Sequence, residues 1–499
     1  MKSTWFISLM LLTAAANAQN WVPRFALNGP DSLRIRSYDE GNVLHASMQP
    51  LDPTHPLTYL RFSQPEMMQS GLHTQVLGAA GGGASLSTIT RGLGLAQVGV
   101  RADQNWNNKV VLSATVAGQA EVLPAYLDSV VRATGILPGI GRAEHNGDVA
   151  IAPYLTGYLG WNLSKNFYAE AGHGKHFWGD GHRSLILSNN TAPYSYLRLE
   201  TTGWHLKYVN LWAYLREYNL DGNGEMQGKF LAAHALDWNV TKYFSLGFYE
   251  MVTWQARDTL SDRGLELNYL NPIAFYRPIE FAQGSADNVL LAMTWRWRTS
   301  EHSTFYGQVL IDEFLLAEVR DRSGWWANKF GGQIGYSLSP VESGVSLQTE
   351  VNVVRPFTYT HGSVLQNYGH LSQSLAHPLG TNFLEWVTLL RLERERLTLS
   401  AEYLWAIYGR DRDGDNYGGN IYRSYESPLR THFNTLAQGL KSTFHYAALH
   451  GHFLAFPEQQ TKLTASVAFR FEGNDLRTTR ETFFWVGLTR GLLPTTRDF

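Results

Sequence analysis

From about residue 85 onward the chain repeats one theme, segments of ~10 residues in which apolar and polar side chains alternate, separated by turns. In residues 345–353, Val345, Leu347, Thr349, Val351 and Val353 share one face, and Ser346, Gln348, Glu350 and Asn352 share the other. Leu463, Ala465, Val467, Phe469 and Phe471 oppose Thr464, Ser466, Ala468 and Arg470, and Phe305, Val309 and Ile311 oppose Tyr306, Gln308 and Asp312. A sandwich buried on one side alternates too. What separates the two architectures is charge in mid-strand: Glu350, Arg470 and Asp312 suit a wet lumen. The pattern predicts an all-β fold, one large antiparallel transmembrane β-barrel of about 16–18 strands with folded-in loops.

Two stretches depart from period two. Residues 123–137 carry Leu127, Val130 and Val131 at helical spacing and stop at Pro138-Gly139, which predicts a short helix in a loop or plug. Residues 269–288 are almost wholly apolar and aromatic but are interrupted by Pro272, Pro278 and Gly284, so they form no central strand. They are expected either to fold inward as a constriction or to lie against the barrel wall.

The N-terminus sets the compartment. Lys2 is the only charge ahead of an apolar run over residues 5–16, and Ala16-Asn17-Ala18 fits a small-x-small cleavage site. This predicts a Sec signal peptide over 1–18, an extension over 19–84 that is periplasmic or luminal, and the barrel over 85–499. The run is too short to span ~30 Å of hydrocarbon as a helix. With 0 Cys there is no lipid-anchor site, disulfide or thiolate-metal centre. A net charge of −2 with mixed signs argues against nucleic acid as a partner. The 16 Trp and 25 Tyr cluster at strand ends, where their rings would form interfacial girdles. Trp161, Phe167, Tyr168, Trp204, Trp238, Trp297, Tyr408 and Trp485 are among them.

The densest chemistry lies in residues 172–188, GHGKHFWGDGHRSLILS. A helix following a loop of this kind would make a phosphate site, and none is predicted here. His173, His176, His182 and Asp180 are ligand types zinc accepts, but residues three apart on a strand face opposite sides. A glycine-hinged loop whose Lys175, Asp180 and Arg183 pair with luminal charges fits better. No nucleophile elbow occurs, and residues 411–420 lack the Gly and Glu an EF-hand needs. The candidate ligand contacts are His173, Lys175, His176, Trp178, Asp180, Arg183, Tyr276, Arg277, Asp312 and Glu313, with Arg277 expected to pair with Asp312 or Glu313. No catalytic residue, metal or cofactor is assigned.

Four blocks in order, GHGKHFWGDGHRSLILSNNTAPYSYLRLETTGWHLKY, NYLNPIAFYRPIEFAQGSADNVLLAMTW, YGQVLIDEF and YGHLSQSLAHPLGTNFLEW, resemble the Bacteroidota gliding motility protein RemB family. More distantly they resemble the Wzi capsule-assembly family. The likeness runs from about residue 157 to 386. It implies a noncatalytic outer-membrane barrel engaged with surface polysaccharide, or with motility or secretion machinery, in addition to outer-membrane lipid. A porin-like diffusion channel is the alternative expectation.

Overall fold

A computed structural model describes residues 45, 47–49, 71–87, 90–107, 109–218, 226–257, 263–273, 276–278, 287–340 and 343–490. The predicted signal peptide lies outside these residues. The first strands are β1 (Gly71–Leu86), β2 (Arg91–Trp106), β3 (Val110–Val122), β4 (Val149–Asn162), β5 (Phe167–Gly174) and β6 (Tyr194–Gly203). Next come β7 (Leu206–Tyr218), β8 (Met226–Asn239), β9 (Phe244–Gln255), β10 (Asn288–Arg298), β11 (Ser303–Glu313) and β12 (Lys329–Leu338). The last are β13 (Val345–Val354), β14 (Phe383–Arg394), β15 (Leu397–Arg410), β16 (Leu440–Phe456), β17 (Thr461–Gly473) and β18 (Thr478–Arg490). Each pairs antiparallel with the next, and β18 returns to β1 from Gly78↔Arg490 to Leu86↔Thr482. The result is a closed antiparallel barrel of 18 strands, with no free edge.

Alternation decides which way each residue faces. Leu155, Leu159, Val116, Ile334, Leu449 and Val486 point outward and are exposed, as an apolar band against lipid requires. Trp106, Trp161, Phe167, Trp204, Trp238 and Trp297 are exposed near one rim and form a girdle there. Three aromatics expected in the girdles face inward instead. Tyr168 donates to luminal Glu170, Tyr408 packs in the luminal core, and Trp485 shares strand parity with buried Glu481. A ring near a strand end reads the same in sequence whichever face it takes.

The rims differ. Turns from each even strand to the next odd one span two to six residues. Loops 123–148, 175–193, 256–287, 314–328, 355–382 and 411–439 all leave the opposite rim. By the rule of short periplasmic turns and long outer loops, that second rim faces outward from the cell.

The barrel begins at Gly71, ahead of the boundary expected at residue 85. β1 is so rich in Gly and Ala that it offers little alternation of bulk to read. The small residues serve close packing: a Cβ at Gly83 would collide with the carbonyl oxygen of Phe484. The predicted helix forms as α1 (Ala125–Thr134), closed by Gly135 at φ 68°. Its Leu127 and Val131 pack on inward-facing Leu77, Ala117, Ala152 and Tyr154, so it lies against the inner wall.

Candidate functional site

Loop 175–193 leaves the top of β5 and crosses the lumen. The backbone N–H groups of His182 and Arg183 donate to Glu350 on β13, each at 2.8 Å. Arg183 Nε reaches Glu385 on β14 at 3.3 Å. In an 18-strand ring β14 stands diametrically across from β5. Glu385 also meets His377 Nε2 at 2.6 Å and Asn352 Nδ2 at 2.9 Å, and both ends of this network are fully buried. Asp180 pairs with Arg296 of β10 at 2.5 Å, and Gln308 of β11 accepts from the N–H of Leu185 at 2.7 Å. Gly181 passes so near the wall that a Cβ there would lie 2.6 Å from Glu350 Oε2. Buried charges this well partnered hold one loop geometry, because removing either partner strands the other in low dielectric.

The rest of the predicted cluster supports the same crossing. Trp178 is 1% exposed and its backbone bridges both Leu187 and Met48. Ser47 Oγ donates to Asp237 at 2.6 Å, so part of the N-terminal extension lies inside the lumen. His176 is fully buried, edge-on to Tyr196 with ring centroids 4.4 Å apart, and its Nδ1 is 3.1 Å from Tyr194 Oη. Lys175 Nζ donates to the carbonyls of Gly139 (2.5 Å) and Asn189 (3.2 Å), tying loop 123–148 to the crossing loop. Burial without an anion pushes its ammonium down to about 7.

Five expected contacts lie elsewhere. His173 sits at an outward position of β5, beside Ser195 at 3.2 Å. Asp312 and Glu313 pair with Lys329, at 3.5 and 2.8 Å, rather than with Arg277. Lys329 Nζ also lies 4.4 Å from the centroid of Tyr425. Arg277 is on the far side of the wall, for the described residues around Tyr269 and Tyr276 lie against the outside of the barrel and not within it. There Tyr269 and Tyr276 are 0% exposed and pack on outward-facing Trp212, Ala232, Val252 and Trp254. The N–H groups of Tyr276 and Arg277 both donate at 2.9 Å to Glu250, which faces outward beside His234 and, one strand further, Asn210. A bare carboxylate facing lipid is costly, and the loop covers it.

At the outer rim, loops 123–148, 175–193, 355–382 and 411–439 enclose a recess of about 270 Å³. None of its residues is among the candidate ligand contacts expected from sequence, because it is assembled from four segments far apart in the chain. Gln373 braces it: its Oε1 accepts the N–H of Ala192 at 2.9 Å and of Gly139 at 3.3 Å. A second recess, about 330 Å³, opens on the lipid-facing wall beside Leu390, Leu449 and Val467. Its apolar lining suits an acyl chain. Among the described residues no three His, Asp or Glu side chains gather as a metal site.

These features define a transmembrane β-barrel with a loop-filled lumen and a knitted outer face. No protein family model matches the chain, and no curated protein matches it by sequence. Among solved structures it is similar to Wzi of Escherichia coli, a carbohydrate-binding outer-membrane β-barrel involved in group 1 capsule assembly. The TM-score is 0.55 at 13% identity, over 95% of this chain and 99% of that one. Pseudomonas aeruginosa OprE (TM-score 0.45, 10% identity, 85% and 98% covered) and OprD (0.44, 9%, 84% and 96%) are also similar. At such identities the likeness is one of fold.

Proposed function

We propose that this protein is a noncatalytic outer-membrane barrel that holds polysaccharide on the cell surface. The observation that carries the reading is the crossing of the lumen by loop 175–193, anchored on Glu350 and Glu385 of the opposite wall. A barrel built for diffusion keeps its luminal charges in water. Here Arg198, Lys229, Lys329, Glu350 and Glu385 are each at most 2% exposed. The barrel acts as the anchor, and the outer loops, tied to one another and to the plug, present a fixed surface to a glycan. The Wzi-like fold agrees with this role. The RemB-like blocks favour motility machinery as a further partner, with the same anchored surface as the point of attachment.

The test pairs two measurements on purified protein. Mixed with surface polysaccharide from its own source cells, the protein in lipid nanodiscs should retain the glycan on sedimentation, and in planar bilayers it should show no large steady current. A stable large conductance without glycan retention would establish the diffusion channel instead.

A further inference from the structure

We infer that the recess at the outer rim is a subsite for a single uncharged sugar ring. The inference rests on the polysaccharide reading above and adds to it a place and a ligand chemistry. At about 270 Å³ the recess is just below the ~300 Å³ at which drug-sized sites begin, so it has room for one ring and not for a chain of them.

Its lining sets the chemistry. None of its residues is Asp, Glu, Lys, Arg or His. Two charges bonded close to the lining are already committed: Glu217 accepts the N–H of Ser372 at 2.9 Å, and Lys175 is bonded to the carbonyls of Gly139 and Asn189. A uronic acid, or a zwitterion such as an amino acid, would leave water here without a counter-charge.

What the lining offers is amides. Gln373 spends its Oε1 on two backbone N–H groups, and its Nε2 has no partner among the described residues. Asn420 accepts the N–H of Tyr422 through Oδ1 at 2.9 Å, which likewise leaves Nδ2 without a described partner. Asn190 bonds Ser374 through Nδ2 at 3.4 Å, and its Oδ1 is free among the described residues. Two donors and an acceptor thus face a recess that also carries Leu379 and Ile421. Vicinal hydroxyls match the amides, and the C–H face of a pyranose matches the aliphatic side chains. Gln373 is held by backbone N–H groups of two other loops and Asn420 by the N–H of Tyr422 in its own loop, so both amides are oriented before a ligand arrives, and little ordering is lost on binding.

The experiment is equilibrium binding to the full chain in detergent micelles, with neutral gluco-, galacto- and manno-oligosaccharides as one set of probes and uronate-bearing oligosaccharides as the other. At least one neutral set should bind, and uronates should bind at least tenfold more weakly. The paired variant Gln373→Ala, Asn420→Ala should lose tenfold or more, and Leu379→Trp, which fills the recess, should abolish binding. Heat-modifiable migration on gels confirms that each variant is folded. Uronate binding equal to neutral binding, or neutral binding unchanged in all variants, overturns the inference. If native polysaccharide is retained equally by wild type and variants, the recess is overturned while the polysaccharide reading stands. If wild type retains none, both fall.

Discussion

Replacing Glu350 with Ala should unlock the lumen. Its carboxylate accepts from the N–H groups of His182 and Arg183 at 2.8 Å each, from Tyr306 Oη at 2.9 Å and from Asn352 Nδ2 at 3.1 Å. Truncation leaves the two loop N–H groups buried and unpaired, at about 1–3 kcal/mol each, so the docked loop loses on the order of 2–6 kcal/mol. At ~1.4 kcal/mol per decade, the docked-to-released ratio falls between roughly thirtyfold and ten-thousandfold. Glu350→Gln keeps an acceptor and should lose much less. The assay is single-channel recording in planar bilayers: wild type should stay closed, Glu350→Gln should open rarely, and Glu350→Ala should show frequent stepwise openings. Limited proteolysis reports the loop independently. If Glu350→Ala exposes loop 175–193 to protease and the bilayer remains silent, the loop is not the seal.

Other consequences are open to direct measurement. Lys175 has its proton affinity lowered to about 7 in the docked loop, against an ordinary value of 10.5. Between those pH values the released loop binds the proton more tightly, so docking should strengthen as pH rises through that window, with the full cost felt below 7. Hydrogen exchange of loop amides, corrected for intrinsic rates, should show that slope in wild type and lose it in Lys175→Met; equal slopes would refute the assignment. Tyr276→Ala removes a fully buried ring from the outer wall and should cost about 3–5 kcal/mol, lowering the temperature at which the barrel's gel mobility changes. An unchanged transition would mean that the external loop adds nothing to stability. Gly181→Val should wedge the loop away from Glu350 and reproduce the openings of Glu350→Ala without altering any charge.

The strands were legible because their inward and outward sets differ in polarity. Val345 and Val351 are exposed on the outside, and Glu350 and Asn352 are buried inside, as the alternation of 345–353 requires. Residues 172–188 were expected to pair Lys175, Asp180 and Arg183 with luminal charges; Asp180 and Arg183 do so, whereas Lys175 is held by backbone carbonyls instead. Alternation failed where polarity and facing part company. Glu250, His234 and Asn210 face outward under a covering loop, so nothing in their own strands reveals the cover. Residues 269–288 were apolar enough for either side of the wall, and only the partners Trp212 and Trp254 decide the outer one. Arg277 was therefore assigned partners on the wrong side. The rim recess was invisible for a third reason: Asn190, Gln373 and Asn420 are ordinary loop amides until the barrel brings their loops together.

The external loop also bears on how this barrel can meet its neighbours in the bilayer. Over part of β7 to β9 the external loop stands between the strands and lipid, with Leu267 and Ile273 76% and 83% exposed. Flat strand walls can abut along their whole height. A wall carrying such a ridge cannot, and a second barrel approaching this sector would touch the ridge first. The circumference therefore has a marked side, and any lateral array of these molecules must either turn that side to lipid or be shaped around it.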